Sequence, residues 1–583
     1  MPKMPRLTAI ALAVALACPS LIAAQPSLVP DFDTVPVQTQ RMAPLIQRFT
    51  SDLRSVEHVN DIQHGLRREA ALRELYSGWL TRVRAMDTSG FGIEDSIDHL
   101  LFTRTLEHRL KQLDFEARRY VEAAALLPEV DALIALMEAR RALDYQDGRA
   151  SADVLERARV ALAARLDAVK KDGARAAPGV RPVVANRAAA ILDRSRESLK
   201  AWRDFYADYD PQVTWWIVQP YEGLDKVMAE YAQALRDKLA GASDPEAIIG
   251  DPIGREALLA DLAYEMIPYT PEELIRLAER ELAWCREEMR KAASELGYDD
   301  WRQALEYVKT RHPAPGEQPR LVRELAEEAV AFLEANELVT VPELSKRDWR
   351  MNMLSPQAQL QAPFFLGGVD VWVAFPTSTM PHEKKLMSLR GNNRHFSRAV
   401  VHHELIPGHH LQHFMNQRYQ PHRNLFRTPF WTEGWALYWE FLLYDLDFAR
   451  TPEDRIGMLF WRAHRAARIQ FSLGFHLGQM TPQQAIDLLV ANGHERENAA
   501  AEVRRSFAGD YPPIYQAAYM LGGLQFRELH RELVQSGRMS NRDFHDRILQ
   551  GGVMPVEMVR ARLRGEAPAA DFKSNWRFYD LGR

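Results

Sequence analysis

From Met42 to Glu337, apolar side chains recur at three- and four-residue intervals with charges on the opposite faces, as in Leu100, Leu101, Leu106, Leu110 and Leu113 or in Ile275, Ala278, Leu282, Cys285 and Met289. That spacing predicts a long succession of amphipathic helices, so the fold class is mainly α. Several starts are marked. Thr270-Pro271-Glu272-Glu273, Thr451-Pro452-Glu453-Asp454 and Thr481-Pro482-Gln483-Gln484 each place a hydroxyl at the cap, proline in the first turn and a side-chain acceptor three residues after the cap. Turn-rich breaks at 173–182 and 311–319 separate helical layers. In Val369-Asp370-Val371-Trp372-Val373-Ala374-Phe375 the period changes to two, between Gly367-Gly368 and Pro376. This predicts a strand, and with it a small sheet beside the helices. Its role is that of a core hairpin or of an edge that pairs with an extended peptide.

Composition adds that the chain folds around a large core. Hydrophobic residues make up 46% and charged residues 26% of 583 positions, with no repeat or low-complexity tract. We expect one large domain over 25–583, or two packed lobes, 25–340 as scaffold and 341–583 bearing the chemistry. Pairs such as Arg140-Arg141 and Glu327-Glu328 read as solvated helix faces. The first 24 residues have a cationic start (Lys3, Arg6), an apolar run from Leu7 to Ala17 and small residues up to Ala23-Ala24. These are the marks of a secretory signal peptide, which places the protein in the periplasm or outside the cell, with no transmembrane segment after cleavage. Cys18 after Ala15-Leu16-Ala17 weakly echoes a lipoprotein processing site and leaves a lipid-anchored form open. Removing Lys3 and Arg6 takes the net charge from −5 to −7, which argues against nucleic acid as a partner. Cleavage also leaves Cys285 as the sole cysteine, so no internal disulfide forms.

The candidate chemistry is concentrated. Residues 399–413 hold five of the chain's 18 histidines and one carboxylate, Glu404, and a predicted helix carrying Glu433 follows. Imidazoles with a carboxylate make a three-ligand zinc site whose open position serves hydrolysis, and a neighbouring carboxylate then acts as base. The familiar helical zinc motif has histidines four apart. Here the fourth position is Pro407, and His403 and His409 are six apart, about 600° of rotation and about 9 Å of rise on a straight helix. They share an ion only if Pro407 and Gly408 break that helix. Other pairings stay open. His409 and His413 share a face but lack an adjacent glutamate, and His402 or His410 can replace its neighbour. The preferred set is His403, His409 and Glu433 around one zinc ion per chain, with Glu404 as base.

At these residues the chain resembles the bacterial domain of unknown function 885 family, whose members resemble zincin-like metallopeptidases of the gluzincin type. The likeness rests on His403-Glu404-x-x-Pro407-Gly408-His409, on Glu433-Gly434-Trp435-Ala436-Leu437-Tyr438, on Arg465-Ala466-Ala467-Arg468 with Gly474-x-His476, and on Pro513 with Tyr519-x-x-Gly522. It implies a large multi-helical fold with a deep central cleft, His409 as second ligand, His410 optional, and Glu433 as third. The chain departs from the family pattern at Ser472, where aspartate is usual, and at Tyr515, where glutamine is usual.

Peptide hydrolysis develops a negative oxygen, so a donor facing the metal is expected. Tyr519 is the first candidate and His476 the second, while Arg468 is placed to clamp a substrate carboxylate. The reading is an exported zinc-dependent peptidase acting on short peptides. Its competitors are a catalytically silent metal- or peptide-binding protein and a zinc hydrolase of non-peptide amides.

Overall fold

The computed structural model describes residues 39–582, apart from 208, 245–246, 360–363, 366 and 509–510. The expected signal peptide and Cys18 lie outside the described residues. Helices dominate throughout. The expected starts are real: Thr270 and Thr481 form complete capping boxes with Glu273 and Gln484, and Thr451 accepts from the Asp454 N–H. No described helix is long and apolar enough to cross a membrane.

The sheet is smaller than the alternating stretch suggests. Strand β1 (Met351–Met353) pairs with strand β2 (Val371–Val373) in parallel, Asn352 opposite Trp372. A parallel pair cannot be a hairpin, so the expected hairpin is replaced by a crossover through residues 354–370. The period of two holds within β2, where Val371 and Val373 are buried and Trp372 is exposed.

Burial divides the helices into a main core and two smaller clusters. The main core joins residues from Met42 to Leu106 with residues from Leu258 to Phe578, and so runs across position 340. A second cluster gathers residues from Ala123 to Ala240, together with Ile62. The third lies around Phe471, Phe475, Val503 and Phe507.

Six helices carry the site: α1 (Arg394–Glu404), α2 (His409–Asn416), α3 (Pro429–Asp445), α4 (Pro452–His476), α5 (Arg496–Phe507) and α6 (Tyr515–His530). Helices α3 and α6 cross in backbone contact. A Cβ on Gly434 would stand 2.5 Å from the Gly522 Cα, and one on Gly522 would stand 2.1 Å from the Phe430 carbonyl oxygen. Only hydrogen fits there, which explains both glycines and sets Glu433 against the tyrosines of α6. Helix α4 is tied to α1 by Trp461 Nε1 donating to the Phe396 carbonyl at 3.0 Å.

Candidate metal centre

The segment from His402 to His409 is not one helix. Helix α1 ends at Glu404 and α2 begins at His409, with the chain turning through Leu405, Ile406, Pro407 and Gly408. Gly408 N–H donates back to the His402 carbonyl at 3.0 Å, and a Cβ at Gly408 would lie 1.8 Å from the His403 carbonyl oxygen. The fold therefore needs glycine at 408 for close approach. Trp435 of α3 donates its indole N–H to the Pro407 carbonyl at 2.8 Å and fixes the turn from the other side.

This break brings the two imidazoles together, ring centroids 4.8 Å apart and planes perpendicular. His409 Nε2 lies 3.1 Å, and His403 Nε2 3.5 Å, from the same Glu433 oxygen, Oε2. Donor atoms about 2.0–2.2 Å from a tetrahedral zinc stand about 3.3–3.6 Å from one another, so these separations suit a shared ion. The other ring nitrogens are anchored. His403 Nδ1 meets Glu440 Oε1 at 2.7 Å and His409 Nδ1 meets Gln412 Oε1 at 3.1 Å. Acceptors at both Nδ1 positions orient the rings and turn both Nε2 atoms toward Glu433, the nitrogens that would face a shared ion.

Ligand atoms of His403, Glu404 and His409 also all lie within 4.8 Å of one another. Glu404 Oε2 is 4.0 Å from His409 Nε2, farther than Glu433. By distance Glu433 is the tighter third donor, and Glu404 stands beside the cluster. Burial is the largest influence on both carboxyls. It raises Glu404, which His403 and His409 only partly offset. At Glu433 the attraction of His409 and His403 outweighs burial and holds the carboxyl well below the usual range. Tyr515, the departure noted in the sequence, donates its hydroxyl to Glu433 Oε1.

The remaining histidines of the segment point elsewhere. His410 is held by the Val369 carbonyl at Nδ1 and the Ser345 carbonyl at Nε2, both at 2.9 Å. His402 is buried against Phe448, and burial pushes it down to about 4. His413 is likewise lowered to about 4, by burial and then Arg427.

The two imidazoles, Glu404 and Glu433 border a cavity of about 250 Å³ whose roof is Phe364, Phe365 and Gly367 and whose far wall holds Arg465, Arg468, Arg505, Tyr511, Tyr515 and Tyr519. Gly367 is pressed onto Glu404; a Cβ there would stand 2.1 Å from Oε2. Tyr519 lies nearly parallel to His403 at 6.2 Å. Arg468 reaches this wall, yet its Nε donates to Glu502 Oε1 at 2.6 Å. His476 is not brought here. It lines a separate cavity of about 1280 Å³ with Arg119 and Asp251, and Tyr511 borders both cavities. Ser472, the other departure, donates to the Pro513 carbonyl at 3.0 Å.

Sequence reasoning missed Glu440, Gln412 and the roof. Glu440 had a signal: it follows Glu433 by two helical turns and shares its face. Gln412 is three residues after His409, within reach on the same helix.

Residues 59–563 match the sequence profile of a family described as "Bacterial protein of unknown function (DUF885)". No curated protein matches the chain. A lipoprotein candidate of unknown function from Shewanella oneidensis has a similar structure, with TM-score 0.65 and 17% identity over 90% of this chain and 99% of that one. A second, from Colwellia psychrerythraea, gives 0.56 and 15% over 90% and 98%. At these identities the likeness concerns the fold alone.

Proposed function

The chain belongs to the DUF885 family of bacterial proteins, and from the geometry of its site we propose that it is an exported zinc-dependent hydrolase that cleaves the peptide bonds of short peptides. One observation carries this reading: two imidazole Nε2 atoms converge on one oxygen of Glu433, their Nδ1 atoms anchored by Glu440 and Gln412, with a further carboxylate, Glu404, beside them. The donor set fits zinc, and His403, His409 and Glu433 would hold it. Bound zinc supplies a Lewis acid that polarises the scissile carbonyl and acidifies water.

The protein's own residues do the rest. Glu404, raised by burial, takes a proton from the attacking water and passes it to the leaving nitrogen as the C–O bond forms and the C–N bond breaks. Tyr519, also raised by burial and by Glu433, stays protonated and presents its hydroxyl to the developing negative oxygen. Phe364 and Phe365 cover the cavity and limit water. The signal-like first 24 residues supply the export half of the proposal.

The test is Glu404→Gln in the full chain, with zinc measured by mass spectrometry and turnover on a peptide library with and without a chelator. We expect zinc to be retained and turnover to fall about 10²–10⁴-fold. Cleavage at the parental rate in that variant overturns the assignment.

The compactness of His403, Glu404 and His409 favours a second reading, in which Glu404 is itself a ligand and the protein binds metal without hydrolysis. Under that reading Glu404→Gln loses zinc and the parent cleaves no peptide.

A further inference from the structure

Among the described residues, the far wall of the small cavity carries a cation without a closely matching carboxylate. Glu502 engages two of its guanidinium groups, meeting Arg468 Nε and Arg505 Nη2 each at 2.6 Å. The third, Arg465, has only Glu440, and Glu440 is already bound to His403 Nδ1 at 2.7 Å, so that Arg465 Nη2 stands off at 3.7 Å. The Arg465 side chain is 6% exposed, and its Nε is buried with no hydrogen-bond partner, as is Arg468 Nη1. Both guanidinium groups lie over the Tyr519 ring, at 4.8 and 4.3 Å. Among the described residues of this wall, three arginines stand against Glu440 and Glu502, one positive charge in excess.

A buried guanidinium with open donors is costly to maintain unless an anion completes it, and a planar carboxylate matches its fork. The ring on which Arg465 and Arg468 lie also faces His403. An anion held there would lie beside the His403 imidazole. The cavity that these arginines share with His403, Glu404, His409 and Glu433 is about 250 Å³ in all.

We propose that Arg465, supported by Arg468, recognises the free C-terminal carboxylate of the substrate, so that the protein removes residues from the C-terminal end of short peptides. This rests on the peptidase reading above and specifies which peptides it takes.

Three tripeptides that differ only at the end separate the possibilities: Ala-Phe-Ala as free acid, Ala-Phe-Ala as amide, and Ala-Phe-Asp as amide, whose carboxylate is on a side chain. With the zinc-loaded parent we expect kcat/KM for the free acid to exceed that of either amide by about 100-fold or more. In Arg465→Gln the preference should collapse, mainly through KM. Arg465→Lys, which keeps charge but not the fork, should recover part of it. Zinc content and thermal midpoint show that each variant is folded. Calorimetry on zinc-loaded Glu404→Gln reads the same preference as binding, without turnover. Equal cleavage of free acid and amide overturns this inference and leaves the peptidase reading intact. Preference for the aspartyl amide moves the carboxylate to a side chain and overturns C-terminal action. If zinc is held but no peptide is bound or cleaved, both readings fall.

Discussion

A residue outside the ion's reach decides whether His403 can serve as a ligand. Glu440 fixes the ring through Nδ1, and its other oxygen is buried without a hydrogen-bond partner, so the carboxylate is committed to that imidazole. Glu440→Ala should weaken zinc about 10- to 100-fold, read by competition with a chelator of known affinity. Unchanged affinity would show that the ring is held by packing alone. Candidate ligands could be named from the sequence because histidines crowd into a short segment. Glu440 was not singled out: its two-turn spacing puts it on the face of Glu433, but nothing on that helix names His403 as its partner. Arg468 shows the same limit: the sequence suggests a cation near the site and is silent about Glu502, which arrives from another helix.

At the scale of elements, helix periodicity and caps could be read directly, whereas pairings between distant segments could not. The two strands are three residues each and meet across a crossover, so nothing local specifies their parallel register. His476 sits at the end of the 25-residue helix α4, whose pattern tells which face is buried but not which cavity that face adjoins. The start of α3 has a further dependence. Thr428 caps it through the Phe430 N–H and donates its hydroxyl to Glu265 Oε2 at 2.5 Å. Burial, eased in part by Thr428, raises the Glu265 carboxyl to about 8, against about 4.3 in an unfolded chain. The unfolded state therefore loses this proton first. Its stabilising contribution is full below about 4.3 and is lost as pH rises through about 8. Glu265→Gln should flatten the fall of the thermal midpoint between pH 5 and 9. A parallel fall in both proteins would mean that Glu265 is already ionised in the fold.

Across the whole molecule, the N-terminal helices are bound to the site-bearing half through a buried ionic knot. Asp98 meets Arg423 Nε and His422 Nε2 at 2.7 Å each, and neither Asp98 nor Arg423 reaches solvent. Burial opposes the charge on Asp98, but Arg423 and His422 prevail and hold it below its ordinary value. Its contribution is thus present above the unfolded value near 3.9 and fades as acid titrates the folded group. Asp98→Ala strands Arg423 and should cost about 3–5 kcal/mol in denaturant unfolding at neutral pH. A loss under about 1 kcal/mol would show that Glu94, which also pairs with Arg423, suffices.

The grip of His410 on the backbone at Val369 and Ser345 has a mechanical consequence. That one ring, on the second residue of α2 directly after His409, clasps the start of this helix to the segment that leads from Gly367 into β2. A swing of the cover wide enough to admit a bulky guest must either release the clasp or pull His409 along with it. Were His409 to hold an ion, guest entry and retention of that ion would be geared together, with the catch a single residue away.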